Sequence, residues 1–319
     1  MAPLQILSLP EGSIHIQRDD LLHPVISGNK WRKLKGWLRR ARAEGKTALL
    51  TYGGAFSNHL AATACLAHSC GLASLGVVRG EESMENPWLA TARSYGMRIC
   101  QVSRALYRDK NAALDTVRLA LPDGGWDWER TLIIGEGGCG REGFEGFEDL
   151  VDGWLAMGFR PGAVLHASAT ATTATGLVLA LRKAGLDTRV LAVPVLENLQ
   201  EQQRFAAGHG ADSGIEWITG HTFGGYAKAP ELLRRFCVDF TGRHGIPCEP
   251  VYTGKALHAL TVLLKTRAVS PDGLVFLHTG GMPSITQTDP AQFRAFPDGQ
   301  GQREPALAGA MTPDEDTLS

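Results

Sequence analysis

Two lysines, Lys30 and Lys33, lie one helical turn apart in the run Gly28-Asn29-Lys30-Trp31-Arg32-Lys33-Leu34-Lys35-Gly36. Gly28 and Asn29 suit a turn entering a helix, and lysines at this spacing then project on the same side. A lysine held near a second cation and partly desolvated has a lowered pKa, and its neutral amine is a nucleophile toward carbonyl compounds. Composition alone favours a plainer reading, a solvated basic first turn with Trp31 and Leu34 packed inward. Basic charge is nevertheless unfavourable at a helix N-terminus unless an anion sits there, which hints at a phosphate.

Three further segments bear on that hint. Thr51-Tyr52-Gly53-Gly54-Ala55-Phe56-Ser57-Asn58-His59-Leu60 joins an expected strand to an expected helix. Its Gly-Gly turn exposes backbone N–H groups that can hold an anion, and Ser57, Asn58 and His59 add a hydroxyl, an amide and an imidazole. Ser57 or Asn58 also suits an ordinary N-cap, and both uses share one helix end. Ser168 to Gly176, with Thr170, Thr172, Thr173 and Thr175, is a second strand-to-helix junction. It reads equally as a phosphate cradle and as a Thr-capped helix start. The last group, Gly224-Gly225-Tyr226, Pro250-Val251-Tyr252-Thr253-Gly254-Lys255 and His278-Thr279-Gly280-Gly281, sets two tyrosines in turns. Isolated tyrosines are usually packing groups, and Thr253 and Thr279 suit caps.

The elements that must position these residues alternate. Strands are expected at 47–52, 72–78, 97–102, 131–135, 163–168, 188–195, 215–219 and 273–279. Helices are expected at 58–69, 86–95, 110–121, 173–184, 197–207, 227–244 and 255–267. Alternation of this kind implies α/β architecture, with open parallel sheets covered by helices on both faces and ligands beyond the carboxyl ends of the strands. The series divides near Gly153–Gly162. Two α/β domains with a cleft between them follow: residues 1–36 with 153–296 as the larger, 37–152 as the smaller, and 297–319 as a flexible tail.

The 319 residues suffice for two such domains. Lys plus Arg number 32 against 33 Asp plus Glu, which argues against a nucleic-acid or membrane-surface partner. Cys65, Cys70, Cys100, Cys139, Cys237 and Cys248 form no Cys-x-x-Cys pair and no zinc pattern, so no metal is expected and the thiols read as reduced. The N-terminal residues lack the layout of a secretory signal, and no apolar run reaches the ~20 residues of a membrane span. A cytoplasmic protein is expected.

In this order the segments resemble the 1-aminocyclopropane-1-carboxylate (ACC) deaminase and D-cysteine desulfhydrase family of fold type II pyridoxal-phosphate enzymes. The resemblance runs from about Ile14 to Gly281 and rests on G-N-K-x-R-K-L, G-G-x-x-S-N-H, the tyrosine pair and H-T-G-G. It implies pyridoxal 5'-phosphate in the cleft between the domains, a small amino-acid substrate and a homodimer. It implies Lys30 as the Schiff-base and proton-shuttling lysine and Lys33 as a phosphate ligand. Asn58 falls beside the cofactor ring hydroxyl, and Ala171, Thr172 and Thr173 form the phosphate loop. Thr253 meets the pyridine nitrogen, and Thr279 is taken as a further cofactor contact. Ser57, Tyr226 and Tyr252 fall at catalytic positions, and Gly54, Ser57, Asn58 and His59 face the substrate.

Thr253 discriminates within the family. ACC deaminases carry glutamate there, a carboxylate that keeps the ring nitrogen protonated; a neutral hydroxyl does not, which suits β-elimination better than ring opening. His59, where ACC deaminases tend to have glutamine, points the same way. The loop Ser-Ala-Thr-Ala-Thr-Thr-Ala-Thr-Gly departs from the more glycine-rich pattern of relatives. The expected reaction is D-cysteine desulfhydrase-like β-elimination giving pyruvate, ammonia and sulfide. ACC deaminase, another lyase or racemase, and a non-catalytic pyridoxal-phosphate binder are the alternatives.

Overall fold

The computed structural model describes residues 2–80, 86–121, 125–226 and 228–281; the expected tail at 297–319 lies outside them. A hairpin of β1 (Leu4–Leu9) and β2 (Gly12–Gln17) leads into helix α1 (Asn29–Ala43). Strands β3 (Ala48–Gly54), β4 (Ala73–Arg79), β5 (Arg98–Val102) and β6 (Thr131–Ile134) follow, joined by α2 (Asn58–Ser69), α3 (Pro87–Ser94), α4 (Arg104–Arg108) and α5 (Lys110–Ala120). After α6 (Glu148–Ala156) come β7 (Ala163–Ser168), α7 (Thr172–Lys183), β8 (Arg189–Pro194), α8 (Leu199–Gly208) and β9 (Ile215–Trp217). Helices α9 (Glu231–His244) and α10 (Thr253–Lys265) precede the last strand, β10 (Leu274–Leu277).

The strands form two sheets, ordered β5-β4-β3-β6 and β1-β2-β10-β7-β8-β9. Every pairing is parallel except the β1–β2 hairpin. That hairpin lies outside the expected elements, because its edge strand lacks clean alternation and leaves Ile6 71% exposed. Both sheets are covered on two faces. Along β3, Leu49 packs toward α1 and α2 while Leu50 and Tyr52 pack toward α5, as period-two alternation requires. In the larger sheet Leu165 of β7 faces α10, and Val164 faces α6 and α7. Phe147, Leu150, Val151 and Trp154 already belong to this larger core, so the segment after Gly153 is the end of α6 and the turn into β7.

Several helix starts differ from expectation, α8 at Leu199 rather than 197 among them, and two do so for a clear local reason. Helix α9 begins at Glu231 rather than 227, because Pro230 is its N-cap and disfavours helical backbone at the residue before it. Helix α10 begins at Thr253 rather than 255, because the Glu249 carboxylate accepts from the N–H groups of Val251, Tyr252 and Thr253 and satisfies its first turn.

Candidate active site

The carboxyl ends of both sheets meet at one cavity of about 740 Å³. Gly54 and Arg79 bring in the ends of β3 and β4, Gly135 to Gly137 that of β6, Ser168 to Ala171 that of β7, Leu196 to Asn198 that of β8, and Thr279 with Gly280 that of β10. Ligands of open α/β sheets sit in such a place.

Helix α1 enters the cavity wall through a close backbone contact. Gly28 has φ 62°, and a Cβ there would stand 2.0 Å from the Thr279 carbonyl oxygen, so only glycine lets α1 start against the Thr279–Gly280 turn. Lys30 and Lys33 both line the cavity. Lys30 Nζ donates to Asn29 Oδ1 at 2.8 Å, and Lys33 Nζ to the Gly137 carbonyl at 3.3 Å. Burial lowers Lys30 to about 8 and takes Lys33 well below the usual lysine range, with the Lys30 charge adding to the effect at Lys33. No carboxylate among the described residues offsets either shift, and only the Cys139 thiol partly opposes that at Lys33. Leu34 is fully buried and Trp31 packs on the same core, as expected; the solvated-turn reading fails at Lys33, which is 3% exposed.

Helix α2 supplies Ser57, Asn58 and His59, which all line the cavity with Gly54. Asn58 Oδ1 accepts from Trp88 Nε1 of α3 at 2.8 Å, which leaves the Asn58 amide nitrogen to face inward. His59 is 1% exposed and its pKa is lowered by burial and then by the charges of Lys30 and Lys33. The Thr51 hydroxyl gives its one proton to the Ile134 carbonyl at 3.0 Å, so it accepts from His59 Nε2 at 2.9 Å. His59 is therefore neutral with the proton on Nε2, and its buried Nδ1 has no partner among the described residues.

Helix α7 starts at the junction Ser168–Ala171. Ala171 is left-handed with φ 58°, and no side chain caps the helix. Ala171 and Thr173 line the cavity; Thr172 is fully buried and bonds through its hydroxyl to Thr170 at 3.0 Å. Asn29 Nδ2 donates to Thr173 Oγ1 at 3.0 Å, tying α1 to α7. Helices α1, α2 and α7 all lack side-chain caps and first-turn acids, so three positive helix ends face one cavity.

Tyr226 and Tyr252 close the site, with ring centroids 6.5 Å apart at 63°. Burial raises both phenols. At Tyr226 the shift is opposed by Tyr252 and by the Arg79 guanidinium, which lies 5.6 Å from its ring centroid; at Tyr252 the charges of Tyr226 and Glu249 add to it. Tyr226 is the more readily ionised of the two. Thr253 is fully buried, its hydroxyl donating to Glu249 Oε1 at 3.1 Å. Sequence reasoning missed Asn29, Arg79, Trp88 and Glu249. Asn29 stands inside the motif already singled out, whereas Trp88 and Glu249 carry no spacing signal.

The residues fit an anionic carbonyl compound. Two desolvated amines have no carboxylate partner among the described residues, three uncapped helix N-termini converge, and a buried imidazole nitrogen is unpaired among them; a phosphate and an electrophile answer the first two. Among the described residues no group of three or more His, Cys, Asp and Glu side chains could hold a metal. Nor is any helix among them long and apolar enough to cross a membrane.

Comparison with known proteins agrees with this chemistry. The family model described as "Pyridoxal-phosphate dependent enzyme" matches residues 2–280. A D-cysteine desulfhydrase of Salmonella paratyphi A is 28% identical over 303 residues, covering 86% of this chain and 89% of that protein. A crystal structure of an ACC deaminase homologue superposes with TM-score 0.71 at 25% identity, covering 88% of this chain and 89% of the other. A fungal L-serine ammonia-lyase from Rhizomucor miehei shares the fold with TM-score 0.64 at 13% identity, over 88% of this chain and 93% of the other.

Proposed function

The chain belongs to the family of pyridoxal-phosphate dependent enzymes and is a lyase of fold type II; on that premise we propose that it eliminates a thiol from the β-carbon of a small amino acid, as a D-cysteine desulfhydrase does. When bound, pyridoxal phosphate supplies an aldehyde for the substrate amine and a ring that spreads the charge left at the α-carbon. Lys30 is the residue to hold the aldehyde, Lys33 and the start of α7 at Ala171–Thr173 the phosphate, and Asn58 the ring hydroxyl.

The remaining work falls to the chain's own side chains. Lys30, lowered to about 8 by burial, has a neutral amine accessible near pH 7 and takes the α-proton. Ser57 and the Gly54–Asn58 turn hold the substrate carboxylate at the positive end of α2. His59, neutral with a bare Nδ1, accepts a hydrogen bond without adding charge. Tyr226 gives a proton to the leaving sulfur. Its ring lies beneath Arg79, which favours the phenolate left behind.

Thr253 carries the choice of elimination over ring opening. The carboxylate bonded to it among the described residues, Glu249, already accepts from three backbone N–H groups and the Thr253 hydroxyl, so its oxygens are committed to the start of α10. Thr253 stands behind the cavity lining; turned from Glu249 toward a ring nitrogen, its hydroxyl would be a neutral donor to an unprotonated ring, which supports a reaction whose leaving group removes the charge quickly.

The test is ketoacid release from a panel of D- and L-amino acids that includes ACC. D-Cysteine is expected to give pyruvate and sulfide, with ACC inert. Turnover of ACC with D-cysteine untouched overturns this reading and favours ACC deaminase, the activity named for the superposed homologue.

A further inference from the structure

Lys255 is a buried cation that the chemistry above does not use. It leaves the first turn of α10, is 0% exposed, and bonds to no carboxylate among the described residues. Its Nζ donates to three main-chain carbonyls, those of Thr222 and Gly225 at 2.7 Å each and Val195 at 3.2 Å. Burial lowers it to about 8, and Glu249 and Glu197 oppose that only through their charge. Main-chain oxygens gathered about one positive centre resemble the surroundings of a bound ion more than those of a packed side chain.

The loop so gathered is strained. Phe223, Gly224 and Gly225 have φ of 52°, 87° and 96°, three successive left-handed residues of which one is a bulky aromatic. Such backbone persists only where its surroundings over-determine it. The next residue is Tyr226. Val195, immediately beyond β8, ties the loop to the larger sheet.

We propose that Lys255 is a positioning residue, a tethered internal cation that draws in the carbonyls of Thr222, Gly225 and Val195 and so fixes the loop carrying Tyr226 over the cavity. This rests on Tyr226 being the proton donor. Its consequence is that the loop needs a positive charge at this point, not merely volume.

The experiment uses the holoenzyme with Lys255→Met, Lys255→Gln and Lys255→Ala. The methionine variant keeps the volume and is expected to lose about 10²-fold in kcat, the scale of a 1 Å misplacement, with KM little changed. Hydrogen exchange at residues 222–226 is expected to quicken. Glutamine, which can donate to two carbonyls without charge, falls between wild type and methionine. Ethylammonium is expected to restore part of the activity of the alanine variant, and 1-propanol none. Unchanged kcat and exchange in the methionine variant overturn the proposal, as does recovery with 1-propanol equal to that with ethylammonium. If the methionine variant does not fold, glutamine and alanine decide: glutamine no better than alanine, with no amine rescue, also overturns it. Tyr226→Phe separates the two readings. If it keeps full activity while exchange still quickens in Lys255→Met, the tether stands and the role of Tyr226 falls.

Discussion

Replacing Lys30 by methionine should stabilise the cofactor-free chain, although it removes the residue on which the chemistry depends. Burial lowers Lys30 from 10.5 to about 8. At about 1.4 kcal/mol per pH unit this amounts to roughly 3 kcal/mol by which folding disfavours its charged form. Below pH 8 the amine is protonated in both folded and unfolded chains, and the whole penalty is present. Between pH 8 and 10.5 the unfolded chain binds more protons, so wild-type stability rises with pH. Methionine has no such charge and fills similar volume. The Asn29 oxygen it leaves faces the cavity, where water replaces the donor. Urea denaturation of the cofactor-free proteins is therefore expected to show Lys30→Met more stable by about 2–3 kcal/mol at pH 7, falling to about 1 kcal/mol by pH 9.5. A variant less stable than wild type at pH 7, or a difference that does not shrink with pH, refutes the reasoning.

Three further outcomes follow from the same contacts. Trp88→Phe removes the 2.8 Å bond that orients Asn58 and should weaken cofactor binding by about 1 kcal/mol, roughly fivefold, read by equilibrium titration of absorbance. Arg32→Met strands the fully buried Asp19 carboxylate, which it pairs at 2.6 Å through Nη2; the loss should be about 3–5 kcal/mol in chemical denaturation. Tyr226→Phe should lower kcat by about 10²-fold or more while leaving cofactor absorbance intact, and Tyr252→Phe, the phenol harder to ionise, should cost less; the reverse order would exchange their roles.

Much of this was legible in the sequence, and the limits have physical causes. Strands such as β3 and β7 are apolar runs buried on both faces, and their ends point to where a ligand sits. Lys30, Lys33, Ser57, Asn58, His59, Tyr226 and Tyr252 all reach the cavity. What the sequence hides are partners joined only by folding. The Asn29–Thr173 bond spans 144 positions, the Trp88–Asn58 bond 30, and the Lys255–Gly225 bond 30. Glu249 is nearer in sequence to its targets. It reads as an ordinary acidic residue before a proline until its oxygens are found on three successive N–H groups, those of Val251, Tyr252 and Thr253, leading into α10. The protonation of His59 is likewise unreadable from its motif, because it is settled by the single proton of Thr51 going to Ile134.

The Ser168–Gly176 loop, rich in threonine rather than glycine, gains a physical account from the same geometry. A glycine-rich cradle gives room for backbone N–H groups, and here the room comes otherwise. Ala171 takes the left-handed turn, Thr172 turns its hydroxyl toward Thr170, and Thr173 is engaged by Asn29. The side chains of Thr170, Thr172 and Thr173 are thus drawn toward protein partners, and the start of α7 stays uncapped. With two desolvated amines beside it that no carboxylate among the described residues pairs, the cofactor-free site holds unfavourable charge that an anion relieves. Cofactor binding and folding are therefore linked. Each hundredfold excess of free cofactor over its Kd adds about 2.7 kcal/mol to stability, comparable to the roughly 3 kcal/mol that burying Lys30 costs.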